Sequence, residues 1–167
     1  ARELMNQISS EQRKKIFAIL KDMENHIGED AEALRAKTME GFAKATDGED
    51  FSLSDCSKDR AGEYIEYLIR LCFSMGVPLK DSPRDAFDDI EKYLAMCLEL
   101  KKCAICGKDG EVHHWDAIGA GRNRKKYDDH SNRKICLCRE HHTEVETIGR
   151  DTFAEKYHVE GIEYKEG

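Results

Sequence analysis

After residue 100 the sequence contains two pairs of Cys or His residues with the spacing that is typical of a zinc site. Cys103 and Cys106 are separated by two residues, and so are Cys138 and His141. Two such pairs supply the four ligands of a closed tetrahedral Zn²⁺ site, whose binding energy would dominate the stability of a small domain. Unliganded core cysteines are the alternative interpretation. Cys136 lies two residues before Cys138 on a predicted strand, so we expect a packed thiol there rather than a ligand.

A second group of polar residues lies between and just beyond these pairs. It comprises the runs Val112-His113-His114-Trp115, His130-Ser131-Asn132 and His142 to Glu146. In these runs the sequence resembles the HNH (ββα-metal) endonuclease family. The family's motif has a His doublet or Asp-His on the first strand, a central Asn or His, and a last helix that carries ligands. A pair of ordinary surface or core histidines is the alternative for the doublet.

The resemblance implies a role for each of these residues. His113 and His142 are expected to bind a catalytic divalent cation, Mg²⁺ or Mn²⁺, and His114 is expected to be the general base. Phosphodiester hydrolysis needs a nucleophile that is made from water, and a cation that stabilises the negative charge on the scissile phosphate. An imidazole, with an ordinary pKa of about 6.5, suits the base. The central residue would orient this base; Asn132 is preferred, and His130 is its competitor.

Two features depart from the regular pattern. Many HNH helices carry His or Asn four residues after the second cation ligand, where this chain has Glu146. A carboxylate binds Mg²⁺ or Mn²⁺ well, so Glu146 can act as a harder ligand; the same change can equally reduce or abolish activity. Neighbours on a regular strand point to opposite faces, so His113 and His114 need a twisted or irregular strand end to share one site.

The cations of this region are concentrated between the predicted strands. The net charge of −7 arises in residues 1–100, whereas residues 101–167 are neutral overall. Gly119 and Gly121 give flexible backbone beside a basic run, a combination that suits contact with phosphates. The expected DNA-binding residues are Arg122, Arg124, Lys125, Lys126 and Arg133. A solvated charge run is the alternative. Trp115 and Tyr127 could stack on a base, but packing is favoured for both.

The elements that must position these residues follow from capping signals and periodicity. Four helices are predicted in the first hundred residues, beginning at Ser9, Asp30, Ser57 and the Ser82-Pro83 pair. Residues 111–118 and 133–137 are expected to pair as a hairpin, followed by helices over 139–147 and 152–157. The predicted fold class is therefore α+β, mainly α. A helical domain over residues 1–98 precedes a small zinc-bound ββα-metal (HNH) domain over residues 99–167.

The helical part carries a resemblance of its own. It rests on the runs Glu11-Gln12-Arg13-Lys14-Lys15-Ile16-Phe17-Ala18, Gly62-Glu63-Tyr64-Ile65-Glu66 and Gly76-Val77. Over residues 9–80 the sequence is similar to the lambda-type Orf (NinB) recombination protein family. That family binds single-stranded DNA, assists phage recombination and forms dimers, so the resemblance implies a homodimer and phage recombination partners. The family's β-rich start is missing, which predicts a fragment of a longer protein. A helical scaffold without a DNA role is the alternative, and the acidic charge favours it.

Together these patterns predict a metal-dependent HNH endonuclease that cuts DNA in phage recombination or DNA processing, in the cytoplasm of a bacterial host. DNA is the expected partner, single-stranded and branched forms included, and the sequence leaves open which form is cut. The alternatives are a catalytically decayed HNH-fold adaptor that binds DNA, and a zinc-organised protein-interaction module without nucleic acid. No membrane segment or signal peptide is expected, because apolar runs such as Tyr67–Phe73 are interrupted by charges such as Arg70.

Overall fold

The computed structural model describes residues 6–46, 48, 51–87, 89–118 and 133–165. The chain divides into two compact units, residues 1–88 and 89–167. This division falls before the helix that was expected to end the N-terminal domain, so that helix belongs to the second unit. As predicted, the described residues are mainly helical, with one small sheet. None of the described helices is long and apolar enough to cross a membrane.

The first unit contains three α-helices that begin at their predicted caps. They are α1 Ser10–Ile27, α2 Ala31–Ala45 and α3 Lys58–Met75. The Ser9 hydroxyl accepts the Gln12 backbone N–H, and the Gln12 side chain accepts the Ser9 N–H, which completes a capping box. The side chains of Asp30 and Ser57 cap α2 and α3 by accepting backbone N–H groups of the first helical turn. Gly76 ends α3 in the left-handed conformation at φ 72°.

The core of the first unit lies between the apolar faces of these helices. Its fully buried side chains include Ile16, Leu20, Ile65, Leu68 and Phe42. They recur at three- and four-residue intervals, which places them on one face of each helix. Burial of these faces, rather than intrinsic helix propensity, supplies most of the stability of such helices.

Two cations of the basic run on α1 bind backbone carbonyls. Arg13 donates from Nε to the Leu53 carbonyl at 3.1 Å and from its terminal nitrogen to the Ser54 carbonyl at 2.9 Å. Lys15 donates to the Asp85 carbonyl at 2.8 Å. These contacts anchor the segments that follow α2 and α3. The run therefore contributes to the fold of the first unit, and part of its charge is committed to that role.

The fourth helix begins later than the sequence predicts. Ser82-Pro83 opens only a short 3₁₀ turn, Pro83–Ala86, and Phe87 returns to extended backbone. The helix α4 is Ile90–Leu100, capped by Asp89, whose carboxylate accepts the Glu91 N–H at 2.9 Å. The predicted start was wrong because a second capping residue follows closely and is the one that the helix uses.

The second unit is built on a three-stranded antiparallel sheet. Its strands are β1 Glu111–His114, β2 Arg133–Leu137 and β3 Ile162–Glu163, in the order β1-β2-β3. The helices α5 Arg139–Ile148 and α6 Arg150–Tyr157 connect β2 to β3. The predicted strand-strand-helix order is thus confirmed. However, β1 is shorter than predicted, because the 3₁₀ turn Trp115–Ala117 begins directly after His114.

Two helices of this unit pack against its sheet. α4 contacts β2, and α5 also contacts β2. The buried side chains include Leu94, Leu98, Ile135, Val145 and Phe153. Val145 is the one described residue of α5 that is buried, so most of this helix remains open to solvent. This packing holds α5 beside the hairpin that carries the histidine doublet.

Candidate metal centre and active site

The two predicted ligand pairs lie in two different local structures. Cys103 begins a tight turn after α4, in which the Gly107 N–H donates to the Cys103 carbonyl at 2.9 Å. Gly107 has φ 75°, a conformation that glycine adopts without strain. Cys138 is the N-cap residue of α5, and His141 lies in the first turn of that helix. The Ala104 N–H donates to the carbonyl of Cys136 at 2.9 Å and so joins the turn to β2.

The fold brings the four predicted ligands together. The ligand atoms of Cys103, Cys106, Cys138 and His141 all lie within 4.8 Å of one another. Cys106 Sγ is 3.7 Å from Cys138 Sγ, and His141 Nδ1 is 3.6 Å from Cys103 Sγ and 3.2 Å from Cys138 Sγ. Metal–ligand bonds of zinc length require edges of about 3.8 Å between sulfurs and about 3.5 Å between sulfur and nitrogen in a tetrahedron. The donor set and its geometry therefore fit a metal such as zinc.

The electrostatics at one corner favour a ligand thiolate. Burial alone would raise the pKa of the Cys138 thiol, but hydrogen bonds from the backbone and ring of His141 outweigh it and lower this pKa to about 7. The thiolate is the form that binds a metal. Cys136 is fully buried, lies outside the ligand group, and has its pKa raised to about 12 by burial, as expected of a packed thiol.

The predicted ligand His141 also contacts a neighbouring helix, a feature that the sequence did not reveal. The Tyr157 ring meets the imidazole edge to face, with centroids 5.8 Å apart. The Tyr157 hydroxyl donates to Glu144 at 2.7 Å, and Glu144 also forms an ion pair with Lys156. These contacts link α5 to α6 and restrict the ring that presents Nδ1 to the thiols.

The predicted ligands of the catalytic cation lie next to each other on β1 and α5. The rings of His113 and His142 stack with centroids 3.8 Å apart and planes 6° from parallel. His142 Nε2 is 3.5 Å from a carboxylate oxygen of Glu146, one helical turn later. Burial, and then the neighbouring His142, lowers the pKa of His113, which favours the neutral imidazole that a cation requires.

These three side chains form a looser arrangement than the zinc-type group. Within the described ranges, that group is the one cluster of three or more Cys, His, Asp or Glu side chains whose ligand atoms converge. The in-plane lone pairs of two stacked, nearly parallel imidazoles do not point at a common position. One ring must therefore rotate before His113 and His142 can both reach a single cation.

The doublet lies at the point where regular strand geometry ends. His113 is opposite Ile135 and His114 is opposite Lys134 in the β1-β2 ladder. His114 is exposed and is the last residue of β1, and the 3₁₀ turn starts at Trp115. The irregular backbone that the doublet was expected to need therefore begins one residue after it.

The indole next to the doublet is packed rather than presented to a ligand. Trp115 is 5% exposed. The backbone of Gly161 approaches it so closely that a Cβ atom on Gly161 would lie 2.2 Å from the Trp115 Cβ. Packing, the favoured alternative for this residue, is therefore what the structure shows.

Arg133 has a protein partner that the sequence did not suggest. Its Nε donates to Asp116 at 3.2 Å, and a second guanidinium nitrogen contacts the other carboxylate oxygen. This hydrogen bonding raises the pKa of Arg133 further. The other DNA-binding and orienting candidates lie outside the described residues; they are Arg122, Arg124, Lys125, Lys126, His130 and Asn132.

The chain that carries this Cys-His group and the histidine doublet matches known proteins at the level of one family. No curated protein and no solved structure matches the chain. One family model, described as "Putative HNHc nuclease", matches residues 3–166, nearly the whole sequence. The chain belongs to this HNH nuclease family.

Proposed function

We propose that this protein is a divalent-cation-dependent endonuclease that hydrolyses DNA phosphodiester bonds. The observation that carries the proposal is the contact between His113 on β1 and His142 on α5, immediately beside the zinc-type ligand His141. Family membership supports nuclease activity, and the donor types at this contact support metal-assisted hydrolysis.

In this proposal each side chain has one task. His113, His142 and Glu146 would hold Mg²⁺ or Mn²⁺, and the carboxylate of Glu146 favours these oxygen-preferring cations. When bound, the cation supplies positive charge opposite the scissile phosphate and the leaving oxygen. His114 takes the proton from the attacking water, a step typically worth about 10² to 10⁴ in rate. The lowered pKa of His113 keeps that ring neutral for binding.

The second metal would be structural. We assign Zn²⁺ to Cys103, Cys106, Cys138 and His141, because their four ligand atoms lie close enough together to supply all four corners of a tetrahedron. Such a closed site leaves no position for water or substrate. It would instead fix the turn after α4 to the first turn of α5, the helix that carries His142.

The contacts with DNA are proposed from the sequence. The basic segment with Arg122, Arg124, Lys125 and Lys126 would follow the DNA backbone, and Asn132 or His130 would orient the general base. The ion pair with Asp116 argues against a phosphate contact for Arg133. Five further parts of the proposal rest on the resemblance of residues 9–80 to the Orf family. They are a role in phage recombination, a homodimer, recombination-protein partners, single-stranded or branched substrates, and a location in the host cytoplasm.

A DNA-binding adaptor with a decayed catalytic site is the second candidate. It is favoured by one observation, namely that His113, His142 and Glu146 do not form a convergent three-ligand group among the described residues. Both candidates bind DNA, but only the nuclease cleaves it.

The deciding experiment measures cleavage of labelled single-stranded, duplex and four-way-junction DNA. Wild type and His114→Ala are assayed with no added divalent cation and with Mg²⁺, Mn²⁺ or Ni²⁺, after zinc content has been verified. His26→Ala, which replaces an exposed histidine at the end of α1, is the matched control. Cleavage that requires both the cation and His114 supports the nuclease. Band shifts without cleavage on any substrate, unchanged by His114→Ala, support the adaptor.

A further inference from the structure

Asp116 is a mostly enclosed carboxylate two residues after the proposed general base. Its side chain is 14% exposed and lies in the 3₁₀ turn that follows β1. Arg133, the first residue of β2, makes the two-pronged contact described above. Arg150, the first residue of α6, brings a guanidinium nitrogen to 3.6 Å from Asp116 Oδ1. A single carboxylate thus connects the turn to a strand and to a helix.

The same turn is held by two further contacts. Arg150 also donates to the Trp115 carbonyl at 3.4 Å. In addition, Gly161 packs so tightly against Trp115 that no side chain fits between them. Arg150 and Gly161 both belong to the segment after α5, which carries none of the proposed catalytic ligands. Through Arg150 and Gly161 this segment supports the turn.

We propose that Asp116 is a positioning residue that fixes the 3₁₀ turn and thereby the direction in which His114 is presented. His114 is the N-terminal flanking residue of that turn, so any rotation of the turn changes the backbone that carries the imidazole. Planar guanidinium groups bind a carboxylate in a defined orientation, which a single lysine would not impose. The inference deepens the proposed function and rests on its assignment of His114.

The test compares Asp116→Asn with Asp151→Asn. Asp151 is an exposed carboxylate in the first turn of α6. Its substitution makes the same change of functional group at a distance from the 3₁₀ turn. Misplacement of a catalytic group by about 1 Å can cost about 100-fold in rate. We expect Asp116→Asn to lower kcat by about 10- to 100-fold with unchanged KM for DNA and unchanged zinc content. Asp151→Asn should match wild type.

A second readout does not depend on activity. The His114 ring resonances in a ¹⁵N–¹H spectrum, assigned by their loss in His114→Gln, should shift in Asp116→Asn and not in Asp151→Asn. Wild-type kcat in Asp116→Asn, or unchanged His114 resonances, overturns the inference. If Asp116→Asn does not fold, Arg150→Gln removes one partner, keeps the Arg133 pair and is judged by the same two readouts.

The spectrum also separates the two proposals. A wild-type protein that cuts no DNA refutes the proposed function, whereas the His114 shift still decides whether Asp116 holds the turn. Cleavage by wild type together with normal kcat and normal resonances in Asp116→Asn refutes only the positioning role.

Discussion

Removal of the proposed zinc ion should unfold the second unit and leave the first folded. Zinc binding to peptides of this ligand type is worth about 10 to 16 kcal/mol at neutral pH, which is as large as the total stability of a typical domain, about 5 to 15 kcal/mol. Without the ion, the second unit would have to hold three cysteines and a histidine together by packing alone. We therefore expect it to unfold when a strong chelator is added.

The structure sets the size of the spectroscopic change. α1, α2 and α3 have 18, 15 and 18 residues, and α4, α5 and α6 have 11, 10 and 8. Loss of the second unit thus removes 29 of these 80 helical residues, or a little over a third of the helical circular dichroism. Trp115 is the single tryptophan of the chain and is buried in the second unit, so its emission should shift to the red in the same titration.

The assay is a chelator titration followed by both signals, with zinc release measured by a colorimetric dye. Cys103→Ala should reproduce the chelated spectra at ambient zinc. Cys56→Ala, which removes a buried thiol of the first unit, should not. Metal-free protein with native tryptophan emission and full helicity would refute the structural role of the ion. Loss of nearly all helicity would instead show that the two units unfold together.

Three further predictions concern single positions. Glu146→Gln should weaken activation by Mg²⁺ or Mn²⁺ by about 10-fold, because a charged ligand is lost; Glu140→Gln, exposed on the same helix, is the control in a cation titration of cleavage. Because burial lowers the pKa of His113, the unfolded chain takes up that proton at a higher pH than the folded chain. The second unit of zinc-loaded protein should thus lose stability as the pH falls below about 6.5, and His113→Asn should flatten this dependence in urea unfolding. Gly161→Ala places a Cβ 2.2 Å from the tryptophan Cβ and should destabilise the second unit by about 1 to 3 kcal/mol, followed by tryptophan emission. By contrast, Gly62→Ala, with 3.9 Å to its nearest neighbour, should be tolerated; equal stabilities of the two variants would contradict the close approach.

Local signals in the sequence were sufficient for most elements. Ser9 with Gln12, and Asp30 and Ser57, predict helix starts because a cap is satisfied within three residues of itself. The two ligand pairs are predictable for the same reason, since each pair lies in one turn. At Ser82 the local signal failed, because two capping residues compete and only packing selects between them.

Other features depend on contacts between distant parts of the chain. The strand β3 has two residues, too few to show alternation, and is defined by pairing with β2. Arg133 is indistinguishable in sequence from the basic residues before it until its ion pair with Asp116 is seen. The stacking of His113 on His142 likewise depends on how α5 packs against the hairpin.

The adjacent histidines of α5 serve two different groups, with His141 in the tetrahedral cluster and His142 against His113. Under the proposed function, zinc would fix the helix that presents His142 to the catalytic cation. A newly made chain would therefore not cleave DNA until it has bound zinc. The protein would thus become active only after its synthesis, when zinc binds. Oxidants that convert the ligand thiolates to disulfides would release the ion, so the zinc supply and the redox state of the cell would both set how much of this protein is active.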